Sequence, residues 1–233
     1  MQEAEPMTEY ALRAAMVAAV RELAQLGLNH GATGNLSVRC GGSALVTPSG
    51  LTAEALTPES IARMPLACGA EGDPQNSGEG VWEGPFPPSS EWRFHLDILR
   101  ARPEANAVVH THSPYATTLA AMRREIPAVH YMIAAFGGPS VRCVDYAPYG
   151  TPELSHLALA GLEGRAGVLL ANHGAIVIGA DLRRAVWRAV ELEDLARLYY
   201  LSLVGGGAVI LDDDEIMRTV ERFEHYGPRP SQA

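Results

Sequence analysis

The sequence contains no lysine, so all 18 of its basic residues are arginines. An enzyme that forms a Schiff base with its substrate needs a lysine amine, and a P-loop needs a lysine for the phosphates of a nucleotide. Both classes are therefore excluded. The 27 acidic residues give a formal net charge of -9, which argues against nucleic acid as a partner because a phosphate backbone attracts basic surfaces.

Cysteines and long apolar runs are also scarce. Cys40, Cys68 and Cys143 are widely separated and form no Cys-x-x-Cys pair, which is neither a disulfide framework nor the usual spacing of a structural zinc site. No apolar run approaches the length of a membrane span, and the acidic first residues lack the apolar core of a signal peptide. These absences predict a cytoplasmic protein that does not enter a membrane.

Helical and strand patterns alternate along the chain, which predicts a layered α/β fold. Because no linker divides the 233 residues, we expect a single domain over 1–233, with a flexible loop at 68–88 where Gly, Pro, Asn and Ser cluster. The expected helices cover residues 8–28, 89–102, 113–124, 151–164, 181–204 and 213–225, and the expected strands cover 36–40, 43–47, 105–112, 141–144, 166–174 and 175–179.

Three of the eight histidines form a candidate metal site. His110 and His112 end an apolar strand, and alternate residues of a strand face the same side, so both imidazoles can bind one ion. His173 lies in an Asn-His-Gly turn where another apolar strand ends. Three neutral imidazoles are typical of catalytic zinc with an open fourth position. The alternative is a set of histidines that are hydrogen-bonded independently. His95, one helical turn after Glu91, is interpreted as a packing or supporting residue.

Three short turns rich in glycine and serine, GATGN, TPSG and PSS, are candidates for binding a phosphate. Backbone N–H groups, serine hydroxyls and the start of a helix can bind an anion without lysine. Each turn taken alone is better explained as a plain turn.

Six segments together identify a family: GNLSVR, TPSG, PSSEWRFH, VVHTHS, IPAVHYMIAAFGG and NHGAIVIG. In this order they resemble the class II aldolase/adducin family, and the resemblance runs from about Thr8 to Gly227. It implies a three-layer α-β-α sandwich with a central, largely antiparallel β-sheet. It also implies one zinc ion per subunit and a homotetramer whose active sites lie between subunits.

The resemblance also implies roles for individual residues. His110, His112 and His173 match zinc ligands, and Glu91 matches the catalytic acid/base. Tyr131 matches a tyrosine that protonates the aldehyde oxygen from a neighbouring subunit, and Tyr226 resembles a C-terminal tyrosine that closes the site. The phosphate-binding positions are matched by Thr33, Gly34, Asn35, Ser49, Gly50, Ser89 and Ser90.

The expected activity is zinc-dependent, reversible cleavage of a 2-keto-sugar 1-phosphate, such as L-fuculose 1-phosphate or a deoxy- or methylthio-ribulose 1-phosphate, to dihydroxyacetone phosphate and an aldehyde. Without lysine, a metal must stabilise the electrons left on the ketose fragment. Dehydration of methylthioribulose 1-phosphate is an alternative within the family. A pentulose-phosphate 4-epimerase is less favoured, because such epimerases resemble this chain but carry aspartate in place of Glu91. An adducin-like assembly module would lack the metal ligands that are present here.

Overall fold

The computed structural model describes residues 7–67 and 80–223. The helices are α1 (Glu9–Gln25), α2 (Trp92–Ala101), α3 (Pro114–Ala121), α4 (Pro152–Gly161), α5 (Leu182–Val204) and α6 (Asp213–Phe223). The strands are β1 (Asn35–Cys40), β2 (Ser43–Val46), β3 (Ala62–Pro65), β4 (Ala107–Thr111), β5 (Ile126–Pro127), β6 (Ser140–Val144), β7 (Gly167–Leu170) and β8 (Gly174–Gly179). Two 3₁₀ segments cover Pro58–Ser60 and Tyr131–Phe136.

The strands form one sheet in the order β3-β2-β1-β4-β8-β7-β6-β5. Only the pair β6 and β7 is parallel, and the other neighbours within the described residues are antiparallel. The predicted largely antiparallel sheet is therefore confirmed.

Two hydrophobic cores lie on opposite faces of this sheet. In β4, Val108 packs among the apolar side chains of α2 and α4, whereas its neighbour Val109 packs among those of α1, α3 and α5. In β8, Ile176 and Val177 divide in the same way, because successive side chains of a strand point to opposite faces. The strands are thus apolar on both sides, and the three-layer α-β-α arrangement is confirmed.

The helices begin near the predicted residues. Thr151 and Asp181 cap α4 and α5, each accepting a hydrogen bond from a backbone N–H three residues later, which satisfies a free donor of the first turn. At α3, Ser113 occupies the cap position, but its buried hydroxyl has no partner among the described residues. The Glu193 carboxylate of α5 instead accepts from the first free N–H groups of α3.

Some features differ from the sequence expectation or fall outside the described residues. The short strands β3 and β5 were not expected, because each depends on a partner strand rather than on its own pattern. Of the loop predicted at 68–88, residues 68–79 lie outside the described residues, and Glu83 exchanges two backbone hydrogen bonds of 2.8 Å with Arg63. Among the described residues, no helix combines the length and apolar character that crossing a membrane requires.

Candidate active site

Three distant segments meet at one end of the sheet. His110 lies in β4 and His112 follows it, while His173 occupies the turn between β7 and β8. Strands β4 and β8 are antiparallel neighbours, with Thr111 paired to Ala175, so this turn is brought beside the end of β4. Glu91 immediately precedes α2, the helix that packs on the same face of the sheet as His110.

The backbone of the β7–β8 turn fixes the position of His173. Asn172 has a φ of 56°, a left-handed conformation that asparagine tolerates better than most residues. A Cβ atom on Gly174 would lie 2.4 Å from the carbonyl oxygen of Thr111. The Asn-His-Gly sequence thus allows the turn to approach β4 closely enough for its histidine to reach the other two.

The side-chain atoms of four residues converge. His110 Nε2 lies 2.9 Å from His112 Nε2 and 3.2 Å from Glu91 Oε2, and His173 Nε2 lies 3.2 Å from Glu91 Oε1. The potential ligand atoms of all four residues lie within 4.8 Å of one another. The structure therefore brings together the histidines predicted as metal ligands and the glutamate predicted as the acid/base.

The tautomer of His110 shows that this cluster suits a cation. His110 Nδ1 lies 2.9 Å from the carbonyl oxygen of Ala175, which can only accept, so Nδ1 carries the proton. A neutral His110 then directs the lone pair of Nε2 at the Glu91 carboxylate, whose Oε2 lies 3.2 Å away. A lone pair and a carboxylate facing one another at this distance repel unless a proton or a metal cation lies between them. Imidazole nitrogens with a carboxylate are a suitable donor set for a divalent transition metal.

The ionisation states of the cluster agree with that donor set. Burial, together with the charges of His110 and His173, lowers the pKa of His112 to about 4, so this imidazole is neutral near pH 7. For Glu91, burial opposes ionisation, but positive charge at His110 and His173 and the hydrogen bonds that these rings donate when protonated outweigh it and hold its pKa well below the usual range. A cation bound by neutral imidazoles would favour the ionised carboxylate in the same way. The site therefore offers an ionised carboxylate beside a neutral imidazole.

Glu91 is held by its neighbours in the chain and by β1. Its backbone N–H donates to Ser89 Oγ at 3.2 Å, and the next N–H, that of Trp92, donates to the Ser89 carbonyl. Asn35 Nδ2 of β1 donates to Glu91 Oε2 at 2.9 Å. Only 7% of Glu91 is exposed, so its carboxylate reaches solvent only through the cavity described next.

A cavity of about 370 Å³ adjoins the cluster. Glu91, His112 and His173 line it, and His110 lies fully buried behind them. Within the described part of the chain, no arginine lines this cavity. Its lining includes all the residues predicted to bind phosphate, which are Thr33, Gly34, Asn35, Ser49, Gly50, Ser89 and Ser90.

The serine hydroxyls that line this cavity are better placed to bind an anion than the backbone N–H groups of Ser49 and Ser89. The N–H groups of Ser49 and Ser89 already donate to the carbonyls of Pro87 and Thr47. Because Ser89 Oγ accepts from the Glu91 N–H, its own proton remains available to a ligand. The exposed hydroxyls of Ser49 and Ser90 face the same cavity.

Of the two predicted tyrosines, only Tyr131 belongs to the described residues, and it does not line this cavity. Tyr131 is 52% exposed at the start of the 3₁₀ segment, where it lines a second cavity with Thr219 and Phe223 of α6. Tyr226 lies outside the described residues. The role predicted for Tyr131 thus requires a second subunit and stays a prediction, as does the role of Tyr226.

Two other tyrosines line the cavity and were missed by the sequence interpretation. Tyr146 and Tyr149 follow β6 and are 53% and 70% exposed. Their segment approaches the turn before α2 so closely that a Cβ on Gly150 would lie 2.7 Å from the Ser90 carbonyl oxygen. Nothing in DYAPYG separates these residues from an ordinary turn, since their place depends on long-range packing.

Comparison with known proteins shows which family this chain resembles over most of its length. The family description "Class II Aldolase and Adducin N-terminal domain" matches residues 14–200. The chain is 48% identical over 222 residues to the 5-methylthioribulose-1-phosphate/5-deoxyribulose-1-phosphate aldolase of Rhodospirillum rubrum, covering 95% of each chain. It is 44% identical over 210 residues to the L-fuculose phosphate aldolase of Escherichia coli strain K12, covering 89% of this chain and 92% of the relative.

A solved structure supports the fold independently. An L-fuculose 1-phosphate aldolase superposes with a TM-score of 0.85 at 35% identity, covering 95% of this chain and all of the other. Because the family description and these relatives each span most of the sequence, the chain belongs to the class II aldolase and adducin family.

Proposed function

We propose that this chain is a zinc-dependent aldolase, a lyase that reversibly cleaves a 2-keto-sugar 1-phosphate to dihydroxyacetone phosphate and an aldehyde. The observation that carries this proposal is the position of Glu91, whose two carboxylate oxygens face His110 and His173 at 3.2 Å. The same residue borders a cavity walled by serines and glycines suited to phosphate.

Zinc is proposed because His110, His112 and His173 are three nitrogen donors that leave room for a substrate at a further position. One ion per subunit fits the single group of this kind among the described residues. When bound, a divalent ion supplies Lewis-acid stabilisation of developing negative charge. That contribution is needed because the chain has no lysine for a Schiff base.

The proton movements fall to the chain's own residues. In cleavage the C3–C4 bond breaks, the C4 hydroxyl loses its proton to become the aldehyde, and the electron pair stays on C3. Glu91 then delivers a proton to C3, and in the synthetic direction it removes that proton. Tyr131 of a neighbouring subunit exchanges the proton on the aldehyde oxygen. Positioned acid/base groups contribute on the order of a hundredfold to ten-thousandfold to rate.

The substrates of the relatives define the class proposed here. Those relatives are named for L-fuculose phosphate and for 5-methylthioribulose and 5-deoxyribulose 1-phosphates, which are all ketose phosphates. A panel of these sugar phosphates, assayed for aldehyde release and for the dehydration product of methylthioribulose 1-phosphate, identifies the substrate. Dehydration without aldehyde release would contradict the proposal.

The assembly and compartment are proposed with the activity. A homotetramer with sites between subunits is favoured because Tyr131 is half exposed and away from the cavity of its own chain. A cytoplasmic location is favoured because Cys40 and Cys143 are free thiols, as expected in a reducing compartment.

The first test of the mechanism is the variant Glu91→Gln. It should retain zinc, because the three imidazoles are unchanged. It should lose proton exchange at C3 of dihydroxyacetone phosphate by roughly a hundredfold to ten-thousandfold, since an amide cannot take up the proton. Isotope exchange followed by NMR measures this loss. The matched control is Glu163→Gln, the same change at an exposed glutamate. Proton exchange at the wild-type rate in Glu91→Gln would contradict the role of Glu91 as the acid/base.

A further inference from the structure

A line of buried polar side chains lies behind Glu91. Ser37 Oγ of β1 is 2.9 Å from His95 Nδ1 of α2, and His95 Nε2 is 2.5 Å from Asn35 Oδ1 of β1. Asn35 Nδ2 donates in turn to Glu91 Oε2 at 2.9 Å. Ser37 and His95 are completely buried, and Asn35 is 9% exposed. Three consecutive hydrogen bonds thus connect the interior of the sheet to the carboxylate.

The direction of each hydrogen bond follows from the carboxylate end. An ionised Glu91 can only accept, so the amide nitrogen of Asn35 must face it, and the amide oxygen must face His95. That oxygen also only accepts, so His95 Nε2 carries the proton. His95 Nδ1 is then unprotonated and accepts from the Ser37 hydroxyl. All three donors therefore point toward Glu91.

This arrangement allows Asn35 only one orientation. An inverted amide would place its oxygen 2.9 Å from Glu91 Oε2 and its NH₂ group against the N–H of His95. With His95 protonated on Nε2 both contacts would be repulsive, so the ring adds to the preference of the carboxylate for the orientation in which Asn35 donates to Glu91. Burial lowers the pKa of the His95 imidazole to about 3, with the charge of His110 as a smaller cause, so the ring stays neutral with a single N–H.

We propose that His95 is a positioning residue of the reaction, which acts through Asn35 to orient the carboxylate of Glu91. This inference rests on the proposed aldolase function and deepens it. An acid/base must be held in a defined geometry relative to the carbon from which it removes a proton. With Asn35 free to rotate, the Glu91 carboxylate loses its donor on Oε2 and with it that orientation.

The competing interpretation is that His95 only fills space. Its ring packs against Phe94 with centroids 4.6 Å apart, and its complete burial alone would make substitution destabilising. A packing residue would affect kcat independently of Asn35, whereas a positioning residue would not. A double-mutant cycle separates these interpretations.

The cycle consists of His95→Leu, Asn35→Ala and the combined variant, each zinc-loaded and assayed for C3 proton exchange and aldol cleavage. His95→Leu should lower kcat about tenfold to a hundredfold, the range typical for residues that orient active-site groups. Zinc content and KM should stay within about threefold. In the Asn35→Ala background, His95→Leu should lower kcat less than about threefold further. Fold-changes that multiply in the double variant, or a full kcat in His95→Leu, would overturn the proposal.

Rescue provides a second criterion. The side-chain amide of His95→Gln can donate to Asn35 Oδ1, so kcat should return to within about threefold of wild type. Ile98→Val, a change at another fully buried residue of α2, is the control for a loosened core and should leave kcat unchanged. Activity in His95→Gln no better than in His95→Leu contradicts the proposal.

If His95→Leu does not fold, the cycle is run with Ser37→Ala, which removes the donor to Nδ1 and frees the other tautomer. That variant should lower kcat about tenfold or less, and only when Asn35 is present. Additive effects again reject the proposal. Failure of the proposed function is distinguishable, because wild-type protein would then show neither C3 exchange nor cleavage.

Discussion

At the scale of single residues, His112 is one of the two partly exposed members of the candidate metal site. Its Nε2 atom lies beside His110 Nε2, and its backbone N–H donates to Asn29 Oδ1 at 3.0 Å. The backbone at His112 is thus held independently of its imidazole, so truncating the side chain should remove a metal ligand without displacing the chain.

His112→Ala should therefore fold, lose its zinc and lose cleavage. Metal analysis and the cleavage assay measure both losses, and His156→Ala, a change at an exposed histidine of α4, should behave as wild type. After the His112 imidazole is removed, two of the three proposed nitrogen donors remain, and two donors make a weak zinc site. Full activity in a verified zinc-free preparation of His112→Ala would contradict the whole mechanism.

His95 gives a prediction for stability as a function of pH. Its folded pKa is about 3, against an ordinary value of 6.5. Between these values the unfolded state binds a proton that the folded state does not, so stability falls as pH falls through this window. From pH 7 to pH 5, wild type should lose about 2 kcal/mol more than His95→Gln. Urea denaturation at both pH values measures the difference, and an equal loss in the two proteins would contradict it.

At this scale the convergence of His110, His112 and His173 could be predicted, but the contacts of Asn35 with Glu91 and His95 could not. The two-residue spacing of His110 and His112 places both imidazoles on one face of any strand, so a local pattern suffices. Asn35 was expected to bind phosphate, and it does line the cavity. Its contacts with Glu91 and His95 depend on packing α2 against β1, which no local pattern reveals.

At the scale of elements, the segment after β6 supports the turn that precedes α2. Gly150 has a φ of 74° and approaches the Ser90 carbonyl. Gly150→Ala should cost roughly 1–3 kcal/mol of stability for the left-handed conformation. It should also displace Ser90 and lower kcat/KM by about tenfold to a hundredfold.

Gly164→Ala is the matched control, because Gly164 has a φ of 64° but nothing within 4 Å of the added Cβ. It should show the loss of stability without the loss of kcat/KM, as measured by thermal unfolding and steady-state kinetics. Equal kinetics in the two variants would mean that the Ser90 turn tolerates the displacement.

Helices were predicted better than short strands for a physical reason. The start of α5 at Leu182 is encoded locally, because Asp181 caps it with its own side chain. The two-residue strand β5 exists only because it pairs with β6. The cavity wall formed by Tyr146 and Tyr149 is another product of such long-range packing.

At the scale of the whole molecule, the proposed site is divided between subunits. A variant lacking Tyr131 and a variant lacking His112 would then each be inactive in pure form. Mixing Tyr131→Phe with His112→Ala after dissociation should restore activity, because some hybrid sites combine an intact His112 with a neighbour's intact Tyr131. In a cyclic assembly with random exchange, about a quarter of sites would be complete.

The cleavage assay of the mixture, with each variant alone as a control, measures this complementation. Sedimentation of the same samples reports the oligomeric state. A mixture that exchanges subunits but stays inactive would place Tyr131 outside the reaction. The fold followed from alternating patterns and from the family resemblance, but the assembly could not be derived from a single chain, because its contacts lie between copies.

The close contacts of Glu91 with His110 and His173 have a consequence for folding as well as for catalysis. With neither a cation nor an added proton between them, the folded state must hold imidazole lone pairs against the Glu91 carboxylate, and the unfolded chain carries no such cost. A bound ion removes that repulsion and joins α2, β4 and the β7–β8 turn, which are far apart in sequence. An ion at a hundred times its Kd would add about 2.7 kcal/mol to the free energy of unfolding. The availability of metal would therefore set how long each molecule survives in the cell, in addition to how fast it works.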